Sequence, residues 1–136
     1  MRADAAFARL SESYRDDLCR AETLAPYAQA QHAAIYVLPD ARWARRVSGV
    51  LANRLARGTP GRAHAVVLPV SGGGWRVSVR APLDRPRGAA ALCRGYASGG
   101  GREGAAGINH LPAAELERFA ADFIVHFASP SRHSTS

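Results

Sequence analysis

Three successive glycines followed by an arginine, Gly99-Gly100-Gly101-Arg102, are suited to gripping an anion. Without a Cβ the backbone can turn through positive φ and leaves its N–H groups unshielded, which permits close approach of a phosphate. The segment continues Glu103-Gly104-Ala105-Ala106-Gly107. In letters, Gly99-x-Gly101-x-x-Gly104 also satisfies the dinucleotide fingerprint. That fingerprint requires a strand before it and a helix after it, whereas residues 93–98 make a poor strand and residues 105–112 a poor helix. A Walker-type phosphate loop is excluded because the chain contains no lysine.

Groups able to do covalent or metal chemistry are sparse. Asp16-Asp17 reads as the solvated side of a helix, and the remaining acids are scattered. His32, His64, His110, His126 and His133 show no ligand spacing, so packing or surface roles are favoured for them. Cys19 and Cys93 are far apart and read as reduced, buried packing thiols. Trp43 and Trp75 are candidate base-stacking platforms, although each lies on the apolar face of its element, which favours core packing. No catalytic residue and no metal ligand is therefore assigned.

A chain of 136 residues with 47% hydrophobic residues has the size of one domain and enough apolar material for a core. All 18 basic residues are arginine and the net charge is +7. The planar guanidinium fork bonds phosphate through parallel hydrogen bonds, but a GC-rich coding sequence would give the same arginine bias. The N-terminus MRADAAFARL carries charges and no apolar run, and no stretch approaches the roughly 20 apolar residues of a membrane span. A soluble, cytoplasmic protein with no membrane partner is expected.

The elements that must position these groups follow from hydrophobic spacing. Phe7, Leu10, Tyr14 and Leu18 predict an amphipathic helix over about 5–22, closed by Pro26. Residues 33–38 read as a buried strand, and Asp40 as the N-cap of a helix carrying Trp43, Val47, Val50, Leu51 and Leu55 on one face, ended by Gly58 and Pro60. Two strands, 63–70 and 75–81, flank a turn at 71–74. In the second, Trp75, Val77 and Val79 alternate with Arg76, Ser78 and Arg80, so one face is apolar and the other polar and basic. A Pro/Arg loop (82–87), a short helix near 88–96 and a strand around 105–109 follow. Pro112 then opens a last helix lined by Leu116, Phe119, Phe123 and Phe127. The expected fold is α/β: a single domain with a mixed sheet of four to five strands flanked by helices. Its parts are a linker-like N-terminal helix (1–28), a main body (29–128) and a disordered tail (129–136).

Three stretches together resemble the accessory domain that ends the DHH phosphoesterases. The run GGGREGAAG is similar to that family's GGGH-x-x-AAG loop, with Arg102 where the family usually has histidine. WRVSVRAP resembles its strand ending in S-x-R, which brings Arg80 onto the arginine. WARRVSGVLANRLA resembles the helix carrying Ser48, Gly49, Ala52 and Asn53. The match covers roughly residues 33–127. It implies a substrate-recognition domain that binds single-stranded nucleic acid, a short oligonucleotide or a related phosphoester. Binding would involve Arg80, Gly99, Gly100, Gly101, Arg102, Ala106 and Gly107, with Arg46, Ser48 and Asn53 as further candidates. Unlike histidine, arginine stays charged, so Arg102 suits phosphate anchoring and not proton transfer. Family catalysis uses clustered Asp and His ligands on metal ions, so manganese is expected only in a separate catalytic DHH domain, a possible partner, with no cofactor in this chain. The alternatives are the C-terminal portion of a complete manganese-dependent phosphoesterase, or a protein-interaction domain with a degenerate loop.

Overall fold

The structure, a computed structural model, describes residues 14–128. The first half of the expected N-terminal helix and the expected disordered tail lie outside them. Helix α1 covers residues 14–22. The elements that follow are β1 (Ala28–Ala30), β2 (Ala33–Val37), α2 (Arg42–Gly58), β3 (Ala63–Pro69), β4 (Trp75–Arg80), α3 (Ala89–Arg94), β5 (Gly99–Gly101), β6 (Ala105–Leu111) and α4 (Leu116–Phe127), the last entered through a 3-10 turn at Ala113–Glu115.

The strands form one six-stranded mixed sheet in the order β1-β2-β3-β4-β6-β5. Only β2 and β3 run parallel, joined by α2 as the crossover; every other neighbouring pair is antiparallel. The α/β class is as expected, but the described residues form six strands and not four to five. The two additional strands, β1 and β5, are three residues each and sit at the edges, where low intrinsic propensity is overridden by pairing to a long neighbour.

β3 is central, has both faces covered and is accordingly apolar almost throughout. Its alternate residues divide between two cores. Ala63, Ala65 and Val67 join Ile35, Val77, Val79, Ile108 and the aromatic layer of α3 and α4. Val66 and Leu68 join Leu18, Ala21, Val47 and Leu51 of α1 and α2. The β3–β4 hairpin turns through Gly72, Gly73 and Gly74, all at positive φ, which the ordinary L side chains disfavour. The ring of His110 is 3.0 Å from the Gly73 carbonyl and ties the hairpin tip to β6.

Several local expectations are corrected. The N-cap of α2 is Ala41, which gives no side-chain cap; the Asp40 carboxylate instead accepts from Arg45 at 2.6 Å. Asp17 is only 7% exposed, because α1 docks on α2 and brings it 3.1 Å from Arg46 Nε. Cys93 is buried as expected, with burial pushing its thiol up to about 11, but Cys19 is exposed. Trp43 packs at the edge of the α1–α2 core under the guanidinium of Arg20, and Trp75 at the edge of the other core with its ring N–H 3.4 Å from the Ala113 carbonyl. Among the described residues no helix is long and apolar enough to cross a membrane.

Candidate nucleic-acid interface

Strand register decides which face each candidate occupies. β4 places Val77 and Val79 in the α3–α4 core, so period-2 alternation turns Arg76, Ser78 and Arg80 to the α2 face. Opposite them on β3 stand Leu68, Val66 and His64. Helix α2 lies over β3 and reaches the flank of β4. Beyond its edge, β6 and β5 carry no helix on this side among the described residues, and the sheet surface forms an open shelf.

The shelf is built in rows across the sheet. In one row Arg80 pairs with Ala105, whose carbonyl accepts from the Arg102 N–H at 2.8 Å. In the next, Ser78 lies opposite Gly107 and Gly107 opposite Gly100. Two glycines in one row leave the floor bare. Gly107 is held to glycine by sheet packing, since a Cβ there would lie 2.6 Å from the Val77 carbonyl oxygen. Gly100 is different, because a Cβ there would meet nothing within 4 Å and its φ is not positive.

The glycines use their amides unequally. The Gly99 N–H donates to the Tyr96 carbonyl at 3.0 Å. The bonds from Asn109 N–H to Ser98 O and from Arg102 N–H to Ala105 O fix the ladder phase, which directs the Gly100 N–H into β6. By the same alternation the Gly101 N–H points to the open edge of the sheet. Gly99 packs directly on the Cys93 carbonyl, and Gly101, at φ +140, lies against Ala106. Ala106 itself faces the α3–α4 core. The loop between β5 and β6 is anchored at the sheet end, where Glu103 O accepts from Ala89 N–H and Gly104 O from Ala81 N–H, both at 3.0 Å.

Two arginines share the row at this end, Arg80 on β4 and Arg102 beyond β5. Arg80 is half-buried; its Nε donates to Asn53 Oδ1 of α2 at 2.9 Å and one terminal nitrogen to its neighbour's carbonyl, Val79 O, at 3.2 Å. Burial, and secondly the charge of Arg102, hold its pKa below the usual guanidinium range. Arg102 is exposed. Neither forms an ion pair among the described residues.

The structure therefore gathers Arg80, Arg102, Asn53, Gly100 and Gly107 around one shelf, with the Gly101 N–H at the sheet edge beside it. It does not bring in Arg46, whose charge faces Asp17, or Ser48, whose hydroxyl is 3.5 Å from the Arg45 carbonyl within its own helix. Ser78 and Arg76 share the shelf with Arg80. The alternation of β4 already marked both, and what the sequence did not reveal was that α2 does not extend past β4 over β6 and β5. His64, 2% exposed beneath α2 and opposite Arg80, is kept neutral by burial and the nearby charge of Arg62, its pKa lowered to about 4. Among the described residues no three His, Cys, Asp or Glu side chains converge on a point that would hold a metal.

Fold and shelf together define an α/β domain with one sheet face closed by aromatic packing and the other half open and cationic. This fold is similar to that of the exonuclease RecJ, as seen in its crystal structure bound to manganese. The TM-score is 0.62 at 21% sequence identity, over 95% of this chain and 31% of that one, so the chain spans about a third of the exonuclease's length. No family model matches the chain, and no curated protein matches it in sequence.

Proposed function

We propose that this domain binds single-stranded nucleic acid or a short oligonucleotide on the β4–β6–β5 shelf, as the substrate-recognition part of a DHH-type phosphoesterase. The observation that carries the reading is the unpaired couple Arg80–Arg102 beside the side-chain-free floor of Gly100 and Gly107. A phosphate between the guanidinium groups relieves their repulsion and accepts charge-assisted hydrogen bonds from both. The Gly101 N–H at the sheet edge adds a neutral donor, and Asn53 fixes the Arg80 fork in place. A glycine at position 100 has no steric explanation among the described residues, and in a strand such a residue suits close approach of a ligand.

Phosphoester cleavage is assigned to another polypeptide segment. The alternative, that the chain is one part of a complete phosphoesterase, rests on its spanning 31% of the RecJ exonuclease; hydrolysis that appears only on adding a catalytic domain would favour it. Titration with short single-stranded RNA and DNA at two salt concentrations tests the binding reading. Arg80→Ala and Arg102→Ala should each weaken binding about tenfold or more, as expected for a lost hydrogen bond to a charged group. Each should also flatten the dependence of log K on log salt. Binding unchanged by either substitution and by salt overturns it.

A further inference from the structure

Beyond the Arg80 row, the shelf continues to a third row with its own unpaired cation. Arg76 lies four residues from Arg80 on the same face of β4, is exposed, and has no ion-pair or hydrogen-bond partner among the described residues. On β6, Asn109 follows Gly107 by two residues on the same face and is exposed. The register shift between Trp75 and Val77 inserts an additional β6 residue at this point, and such a bulge re-aims the side chains beside it. Ser98 closes the row; its hydroxyl both donates to and accepts from the His110 backbone, at 3.0 and 2.8 Å, and so holds β5 to β6 at this end.

Resting on the reading above, we infer that the shelf is a track for three consecutive phosphates: the Arg80–Arg102 row takes the first, the bare Ser78–Gly107–Gly100 row passes the second, and Arg76 with Asn109 holds the third. The argument is one of matched repeats. Successive rows on one strand face are two residues apart, about 6.7 Å, so Arg80 and Arg76 are separated by about 13 Å. Three backbone bonds of an extended polypeptide span about 3.5 Å. The six bonds of one phosphodiester repeat therefore span about 7 Å, which is one row per nucleotide.

The middle row is where an arginine would be redundant and a side chain obstructive. It carries two glycines and a serine, whose hydroxyl is small and can donate to a phosphate oxygen. The ligand class is consequently a single strand of at least three phosphates, in preference to a mononucleotide or dinucleotide. A duplex does not present one backbone to a flat shelf in this extended form.

The test is competition by 5′-phosphorylated oligothymidylates of one, two, three and five nucleotides against a labelled longer strand, using the full chain. Affinity should rise at each step to three nucleotides and gain little from three to five. Arg76→Ala should weaken the trinucleotide about tenfold, leave the mononucleotide unchanged, and reduce the salt slope for the trinucleotide by about 0.7. Arg76→Gln, which keeps the side-chain stem, should give the same pattern and carries the test if the alanine variant does not fold. Trinucleotide affinity untouched by both substitutions, or mononucleotide affinity lowered equally, overturns the track while leaving binding at Arg80 intact. If no strand of any length binds the wild-type chain, the parent reading falls as well.

Discussion

The two faces of the sheet are built from the same strands and end in opposite states. On the α3–α4 side, Phe119 and Phe123 are fully buried, stacked with centroids 6.1 Å apart, and flanked edge-on by Tyr96 and Phe127 at 5.5 Å. The Tyr96 hydroxyl donates to Asp122, and Arg118 caps its ring, so even the polar tip of the layer is satisfied. On the other side α2 closes over β3 and reaches the flank of β4, and the surface from there to β5 is left to Ser78, two glycines and three arginines. Strand β4 belongs to both regimes, Val77 and Val79 inward to the closed face and Arg76, Ser78 and Arg80 outward to the open one. One element can thus be held rigidly by its apolar residues while its polar residues remain free for a ligand, which is how a scaffold fixes a binding surface without spending that surface on stability.

If the closed face holds the fold, damage there should be the largest effect available. Phe123→Ala is expected to cost about 3–5 kcal/mol, the usual consequence of removing a buried aromatic ring, read as a lower urea midpoint. Oligonucleotide affinity of the fraction still folded should be unchanged. A loss below about 1 kcal/mol would mean that the aromatic layer does not carry the fold.

The boundary between the two regimes is sensed by His64, buried under α2 with Nδ1 lacking a hydrogen-bond partner among the described residues. Folded His64 stays neutral down to about pH 4, whereas the unfolded chain takes up its proton near 6.5. Between these values the unfolded state binds more protons. The stability associated with His64 is thus complete above pH 6.5, declines as the pH falls towards 4, and levels off below. By linkage the decline reaches at most about 3 kcal/mol. His64→Leu should flatten urea midpoints between pH 4 and 6.5; an unaltered slope would place the pH dependence elsewhere.

How much of this division the sequence foretold depends on the range of the signal. The alternation of Trp75–Arg80 announced a two-faced strand, because period-2 patterning is written in adjacent residues. The apolar stripe of α4 was legible for the same reason. Gly99–Gly101 gave no sign of being a strand, since glycine carries almost no strand preference and the pairing to β6 is a tertiary event. Asp17 and Cys19 were misplaced because burial on α1 depends on how that helix docks against Arg46 and Trp43, which a helical wheel does not encode. The cluster of Arg80, Asn53 and Arg102 joins three elements separated by more than twenty residues. Its candidates were visible one by one, but the meeting of the α2 edge with the end of β4 was not. Arg46 shows the converse, a plausible cation that a distant carboxylate had already claimed.

The finest comparison is between adjacent glycines of β5, which face opposite sides. Gly101 is at φ +140 and a Cβ there would press on Ala106 of the closed face. Gly101→Ala should therefore cost about 1–3 kcal/mol through backbone strain and crowding. Gly100 has neither constraint, so Gly100→Ala should leave the urea midpoint within about 0.5 kcal/mol of wild type, as for an unobtrusive surface change. Its effect should appear in binding alone, because a methyl group rising from the open floor stands where the phosphodiester backbone passes. The pair is informative in both directions. Equal destabilisation by the two alanines would deny that β5 divides a closed face from an open one. A stable Gly100→Ala variant with undiminished affinity would move the ligand off the shelf floor while leaving the guanidinium couple at its end untouched.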